Sequence, residues 1–129
     1  MNAENTAKLL AIAGPLMPPL PIDPRENLMC FGFEVGDGWF ELLGDCLRDL
    51  CTLRRCGVAP SLILAQVKEK YGTLRMYTHN DDAGNIVYAV LEFAEARSGW
   101  TCELCGDRGE TAGTGWLTTR CDACRKTKP

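Results

Sequence analysis

The sequence predicts an α+β protein in which small helices pack on a β-hairpin and a four-cysteine module follows them. Three observations support this prediction: helical periodicity over residues 38–55, strand-like alternation over residues 62–78, and two Cys-x-x-Cys pairs near the end. We expect an N-terminal helix and proline-rich connector at 1–24, an α+β core at 25–99 and the cysteine module at 100–129.

The composition is that of a small globular protein. The 129 residues are 46% hydrophobic and 24% charged, which is enough apolar side chain for one core. No apolar run approaches the roughly 20 residues of a membrane span. The first 14 residues lack the basic start and the apolar stretch of about 7–15 residues of a signal peptide. We therefore expect a cytosolic protein with reduced thiols.

The first 24 residues predict a helix and an extended connector. Residues 3–13 favour a short helix with Asn5 or Thr6 as its cap, and Gly14-Pro15 stops it. Residues 15–24 contain five prolines, which exclude a helix or sheet interior. The interpretation we favour is a connector lying on the domain, and the alternative is a recognition segment for an aromatic groove.

Residues 38–55 predict the main amphipathic helix. Asp37-Gly38 supplies a turn and a cap before it, and Gly57 and Pro60 end it. Its apolar positions recur at helical spacing: Phe40, Leu43, Cys46, Leu47, Leu50 and Cys51. Its polar positions form the opposite face: Glu41, Asp45, Arg48 and Asp49.

Residues 62–78 favour a hairpin turning at Tyr71-Gly72 over a helix starting at Pro60. In this register the apolar residues share one face: Ala65, Val67, Leu74 and Met76. The other face is basic, with one aromatic residue: Gln66, Lys68, Lys70, Thr73, Arg75 and Tyr77. As a helix, the same residues would scatter.

A further helix follows a loop at Asp81–Gly84 and ends at Ser98-Gly99. Its apolar pattern is strong: Ile86, Val87, Val90, Leu91, Phe93 and Ala94. Because Trp100 follows almost at once, we expect the cysteine module to pack against this helix.

The two cysteine pairs predict a structural zinc site. Cys102-x2-Cys105 and Cys121-x2-Cys124 are separated by fifteen residues, within the range of four-cysteine zinc sites. Four sulfurs leave no open position for water, and the only histidine, His79, is distant in sequence, so the site is closed and not catalytic. Free thiols, a disulfide pair and iron–sulfur ligation are the alternatives.

Within the module, Thr101–Gly106 predicts a knuckle in which Gly106 adopts positive φ. We expect a loop at 107–115 and a strand at 115–120 that delivers Cys121. Residues 122–126 form either one helical turn, as in a treble clef, or a second knuckle, as in a zinc ribbon. Trp100 and Trp116 are expected to cover the site.

The four cysteines outside these pairs are not predicted to bind metal. Cys46 and Cys51 lie on or near the apolar stripe of the main helix and are expected to act as small hydrophobes. A second metal site from Cys30, Cys46, Cys51 and Cys56 is the alternative, although these residues form no Cys-x-x-Cys pair. A secreted disulfide scaffold is disfavoured by the N-terminus.

No reaction is indicated. One histidine and two serines, Ser61 and Ser98, provide no triad, and there is no glycine-rich phosphate loop. The carboxylate pairs Asp37/Glu41 and Asp45/Asp49 suit solvation more than acid–base chemistry. Cys30 or Cys56 as a nucleophile would need a base that the sequence does not identify.

Nucleic-acid binding is the main alternative function. The basic residues Arg120, Arg125, Lys126 and Lys128 cluster near the end, and Trp116 is suited to stacking on a base. The charge opposes it: the formal net charge is −3, and a zinc tetrathiolate makes it about −5.

The chain resembles a family of small bacterial proteins often encoded in phage and prophage regions. Three segments carry the resemblance, which spans about residues 31–125: Gly36-Asp37-Gly38-Trp39-Phe40, the block Gln66 to Arg75, and the cysteine pairs with Thr119-Arg120-Cys121-Asp122. It implies Cys102, Cys105, Cys121 and Cys124 as metal ligands and a bacterial host cytoplasm. Residues 1–30 and the extra Cys46, Cys51 and Cys56 fall outside its pattern.

The function predicted from these observations is non-enzymatic protein binding. Small acidic proteins of mobile elements often bind host proteins, including CRISPR defence complexes, so an anti-defence inhibitor is one such role. The predicted partner surfaces are an acidic helix face (Asp37, Glu41, Asp45, Asp49) and the basic hairpin face (Lys68, Lys70, Arg75, Tyr77). A nucleic-acid-binding zinc ribbon or transcriptional regulator is the alternative, and a carboxylate- and metal-dependent hydrolase or nuclease is less favoured.

Overall fold

The computed structural model describes residues 1–79 and 84–127. The helices are α1 (Ala3–Ala13), α2 (Phe40–Arg55), α3 (Asn85–Ser98) and α4 (Asp122–Thr127). The strands are β1 (Phe33–Glu34), β2 (Ile63–Lys70), β3 (Thr73–His79), β4 (Glu110–Ala112) and β5 (Thr118–Arg120). The α+β prediction is confirmed. The predicted loop residues 81–83 and the basic residue Lys128 lie outside the described residues.

Helix α1 begins one turn earlier than its predicted cap. The side chain of Asn2 accepts a 2.8 Å hydrogen bond from the backbone N–H of Asn5, so Asn2 is the cap and the prediction of Asn5 or Thr6 was wrong. The helix ends at Ala13, as the following Gly14-Pro15 predicted. Leu9 and Ala13 are buried, and α1 packs through this face against α2.

Helix α2 has the predicted two faces. Leu43, Leu47 and Leu50 are fully buried, whereas Glu41, Asp45, Arg48 and Asp49 are exposed. A 3-10 turn over Asp37–Trp39 precedes it, and no side chain caps the helix, so the predicted Asp37 cap is wrong. The carboxylate of Asp37 instead accepts a 2.8 Å hydrogen bond from the backbone N–H of Asn2, which ties α1 to this turn.

The predicted hairpin is confirmed. Strand β2 pairs antiparallel with β3, and Lys70 faces Thr73 across a two-residue turn. Tyr71 and Gly72 both have positive φ, 55° and 85°, as in a type I′ turn. A left-handed conformation costs a side chain such as Tyr71 about 1–2 kcal/mol.

The sheet has one strand that the pattern did not predict. The two residues of β1 pair parallel with β2, Phe33 opposite Val67 and Glu34 opposite Lys68. Val67, Leu74 and Met76 of the predicted inner face lie in the core, whereas Ala65 is buried outside it, in a cleft with Gln66 and Tyr77. The β2–β3 register shifts between Leu64 and Gln66, which lets Leu64 join this core.

Helix α3 packs on β3 and α2 through only part of its apolar surface. Val87 and Ala94 are buried, and Ser98 is buried at its last turn. Ile86 and Phe93 remain 49% and 68% exposed. The helix therefore presents apolar side chains both to the core and to solvent.

Candidate metal centre

The four cysteines of the C-terminal pairs converge on one point and form a candidate metal site. The Sγ atoms of Cys102, Cys105, Cys121 and Cys124 all lie within 4.8 Å of one another. The Cys105 and Cys121 sulfurs are 3.6 Å apart. Cys102 is buried and the other three are half-buried or exposed, so the cluster lies at the surface of the module.

A knuckle and a helix deliver these four sulfurs. In the knuckle, the N–H of Gly106 donates to the Cys102 carbonyl (2.9 Å), with Gly106 at φ 85° as predicted. Strand β5 ends at Arg120, and Cys121 and Cys124 lie at the start and in the first turn of α4. A knuckle, a hairpin and a helix are the parts of a treble clef, so the helical alternative holds and the second knuckle does not.

The strands of this module differ in extent from the prediction. Strand β4 lies inside the segment 107–115 that was predicted as loop, because Glu110–Ala112 pairs with β5. The predicted strand at 115–120 shortens to Thr118–Arg120, since Gly113 and Gly115 hold positive φ in the connecting loop.

The local backbone prepares one thiol for ionisation. Burial raises the pKa of Cys102, but hydrogen bonds from the backbone of Cys121, Cys105 and Leu104 outweigh it and lower the pKa to about 6. The backbone N–H of Asp107 lowers the pKa of Cys105, but burial and the three neighbouring thiols raise it to about 12. A bound divalent cation would stabilise all four cysteines as thiolates, because metal binding displaces the thiol protons.

The segment Gly36–Trp39 docks the knuckle onto the core. The N–H of Gly38 donates to the carbonyl of Glu103 (2.8 Å), and the N–H of Gly36 donates to the Glu103 carboxylate (3.1 Å). A Cβ on Gly38 would overlap the carbonyl oxygen of Cys102, so only glycine permits this approach.

A second contact joins the module to the hairpin turn and to α3. The hydroxyl of buried Thr119 donates to the Gly72 carbonyl (2.5 Å) and shares a 2.6 Å hydrogen bond with the Thr111 hydroxyl. The Thr111 hydroxyl oxygen also lies 3.2 Å from the carbonyl oxygen of Gly99, just after α3. The module thus contacts Gly99 at the end of α3, and it also contacts the hairpin turn and the segment Gly36–Trp39, which the sequence did not predict.

The residues that carry the family resemblance meet at this interface. Gly36, Gly38 and Trp39 contact the knuckle, and Gly72 contacts β5. In both segments a glycine stands beside an aromatic residue. This pattern predicted a turn at each position, but it did not predict that the turn contacts the cysteine module. The resemblance itself stays a prediction.

The remaining cysteines do not assemble into a second site. In the described ranges 1–79 and 84–127, one group of His, Cys, Asp or Glu has metal-binding geometry, and it is the C-terminal cluster. Cys46 is buried beside Met76, with 3.6 Å between their sulfurs, as expected of a small hydrophobe. Cys51 is half-buried, and Cys30 and Cys56 are exposed.

The predicted nucleic-acid residues do not share one surface. Arg125 is used internally, because its guanidinium donates to the carbonyls of Glu110 (2.8 Å) and Thr118 (3.2 Å). Arg120 lines a cavity with Trp100 and Cys121, whereas Trp116 lines a different cleft with Tyr71. Lys126 is exposed on α4. Trp116 therefore does not cover the cysteines, contrary to expectation.

The predicted acidic face is only partly free. Asp37 is held by α1, and Asp45 pairs with Arg97 (2.7 Å) and with Arg48 (3.5 Å). Glu41 and Asp49 are exposed and, within the part of the chain that the structure describes, form no ion pair.

The predicted basic face is also partly engaged. Arg75 pairs with Glu95 of α3, and Lys68 is half-buried. The ammonium of Lys70 lies 5.4 Å from the centre of the Tyr71 ring, and Tyr77 is exposed.

Comparison of the chain with protein-family models, with curated proteins and with solved structures finds no match. Among the described residues, no helix combines the length and apolar character needed to cross a bilayer.

Proposed function

We propose that this chain is a non-enzymatic, zinc-stabilised protein-binding module that takes a basic amphipathic segment of a partner. The observation that carries the proposal is the groove of about 240 Å³ between α2 and α3. Most of the residues that line it are apolar, among them Leu42, Cys46, Val90, Phe93 and Ala94.

The outer face of α3 extends this apolar surface. Ile86 and Phe93 are seven residues apart, which places them two turns apart on one helix face. Burying each of them against a partner contributes on the order of 1–2 kcal/mol. A contiguous apolar surface beside polar residues is typical of a protein interface.

The charges around the groove favour a basic partner. Asp45, Asp49 and Arg97 line it, and Arg97 pairs with Asp45. Asp49 and the nearby Glu41 have no ion pair among the described residues. Lysine or arginine flanking the apolar anchors of a helix would complement these carboxylates. Of the predicted acidic face, this support concerns Glu41 and Asp49, because Asp45 is paired with Arg97 and Asp37 is bonded to Asn2.

The donor set supports zinc as the metal. Four thiolates with no oxygen or nitrogen ligand suit Zn²⁺, and the 3.6 Å between two sulfurs is near the edge of about 3.8 Å expected for tetrahedral Zn–S bonds. Such a closed site stabilises the fold and leaves no position for an activated water. Thiolate ligation also suits the reducing cytoplasm expected from the sequence. A phage setting and a host defence complex as the partner remain predictions of the family resemblance.

Affinity capture from a lysate of the source organism tests the groove. The zinc-loaded chain should retain a protein after nuclease treatment, and Phe93→Ala and Asp49→Lys should each release it. The matched control Tyr88→Ala removes an aromatic residue that is exposed on α3 but does not line the groove, and should retain the partner. Equal capture by all variants, or loss after nuclease treatment, would contradict the proposal.

A further inference from the structure

A second cleft lies where the β2–β3 turn meets the β4–β5 loop, apart from the groove between α2 and α3. It measures about 390 Å³, a volume typical of small-ligand sites, and is lined by Glu69, Lys70, Tyr71, Gly115, Trp116 and Leu117. Trp116 is 77% exposed and Tyr71 is 67% exposed. Two large aromatic side chains thus face solvent around one cavity.

Folding does not account for Tyr71. The residue holds a left-handed conformation, φ 55°, in which asparagine, aspartate or glycine is favoured. Its side chain is exposed and buries little apolar surface, so no packing gain offsets the backbone strain. A strained residue kept at an exposed position indicates a role in binding.

The backbone of the β4–β5 loop determines where Trp116 lies. Gly113 and Gly115 both have positive φ, and a Cβ on Gly113 would overlap the carbonyl oxygen of Trp116. Leu117 is partly exposed at the base of the cleft. Trp116 thereby reaches the hairpin turn instead of the metal site.

One charged side chain of each sign lines the cleft, Lys70 and Glu69. Lys70 is exposed, with its ammonium 5.4 Å from the centre of the Tyr71 ring. The carboxylate of Glu69 accepts a 2.7 Å hydrogen bond from the N–H of Gly72 and is held by the turn. Because Glu69 is bonded to the turn, the exposed ammonium of Lys70 is the charged group available to a ligand on the Tyr71 ring, and it would attract a phosphate carried by a planar group.

We propose that Tyr71 and Trp116 stack on a nucleobase whose phosphate contacts Lys70. A free nucleotide and one unit of a single strand share this chemistry. Stacking is the main contribution, because the chain is acidic overall and, among the residues that the structure describes, Lys70 alone brings a positive side chain to the cleft.

The test is fluorescence anisotropy of a labelled ten-residue oligothymidylate with the zinc-loaded full chain at low salt, with AMP as competitor. Tyr71→Asn and Trp116→Ala should each weaken binding at least about fivefold, whereas Tyr71→Phe should keep it within about twofold. Tyr71→Asn is the decisive variant, because asparagine suits the turn and Tm should hold or rise while binding falls.

Phe93→Ala, in the other groove, is the control and should bind the oligonucleotide normally. Competition by AMP would indicate a free nucleotide, and binding of the oligonucleotide alone would indicate a strand; both outcomes support the site. Absence of binding by the unmodified chain, or full affinity in Tyr71→Asn, would overturn it. Neither result bears on protein capture by the groove between α2 and α3.

Discussion

The indole Nε1 of Trp39 donates a 2.8 Å hydrogen bond to the carbonyl oxygen of Thr101, the residue immediately before the first cysteine of the metal cluster. Trp39 is fully buried at the start of α2. The contact spans 62 residues of sequence and joins the core to the knuckle. The core and the cysteine module should therefore unfold together.

Trp39→Phe tests this coupling. The substitution keeps an aromatic ring but removes the donor, which leaves the Thr101 carbonyl without its indole partner, and we expect a loss of about 1–3 kcal/mol in the free energy of unfolding. Urea unfolding followed by circular dichroism measures it. Trp100→Phe changes a half-exposed tryptophan and should cost less; equal losses in the two variants would contradict the coupling.

Gly38→Ala tests the close approach of the knuckle. The added Cβ meets backbone atoms of Cys102 and Glu103, which cannot rotate away, so we expect at least about 2 kcal/mol of destabilisation. Gly14→Ala is the control, because nothing lies within 4 Å of its Cβ and its backbone is helical. Thermal unfolding should show a lower Tm for Gly38→Ala alone; an unchanged Tm in that variant would disprove the contact.

Thr119→Val tests the contact between β5 and the hairpin turn. The substitution keeps the shape but leaves the Gly72 carbonyl and the Thr111 hydroxyl without this partner, which costs about 1–3 kcal/mol. Chemical denaturation gives the change. Thr114→Val, at an exposed position in the β4–β5 loop, should change the free energy of unfolding very little. Similar losses in the two variants would show that the hydrogen bonds of the Thr119 hydroxyl do not stabilise the fold.

Cysteine reactivity tests the distinction between buried and exposed thiols. Burial, followed by the charges of Asp49 and Asp45, raises the pKa of Cys46 to about 12, so its reactive thiolate is negligible at pH 8 and becomes populated only near pH 12. Alkylation with iodoacetamide, read by peptide mass spectrometry, should modify Cys30 and Cys56 and spare Cys46 in the folded chain. Rapid labelling of Cys46 below pH 9 would contradict its burial.

Local sequence patterns predicted the helices and strands better than they predicted which of these elements pack together. The spacing of Leu43, Leu47 and Leu50 predicted α2, and alternation around Tyr71-Gly72 predicted the hairpin, because both signals lie within a few residues. The two-residue strand β1 was missed because it is too short to show alternation. Asn2 was missed as a cap because the helical pattern alone does not fix the first turn.

At the candidate site, too, the sequence predicted local features but not long-range contacts. The cysteine spacing identified all four sulfurs of the cluster, because each pair is a local turn. The docking of Trp39 and Gly38 on the knuckle was not predictable, since those contacts join residues more than 60 positions apart. Periodicity also could not show that Phe93 faces solvent, because an apolar residue on a helix has the same pattern toward a core or a partner.

Metal stoichiometry tests the central claim most directly. Native mass spectrometry of the chain, purified after expression with zinc, should show one Zn²⁺ per chain, which Cys102→Ser abolishes together with the folded C-terminal module. Cys56→Ser, at an exposed cysteine outside the cluster, should keep both the metal and the Tm. An unmodified chain that binds no metal, or a Cys102→Ser variant that unfolds at the same temperature as the unmodified chain, would contradict a structural zinc site.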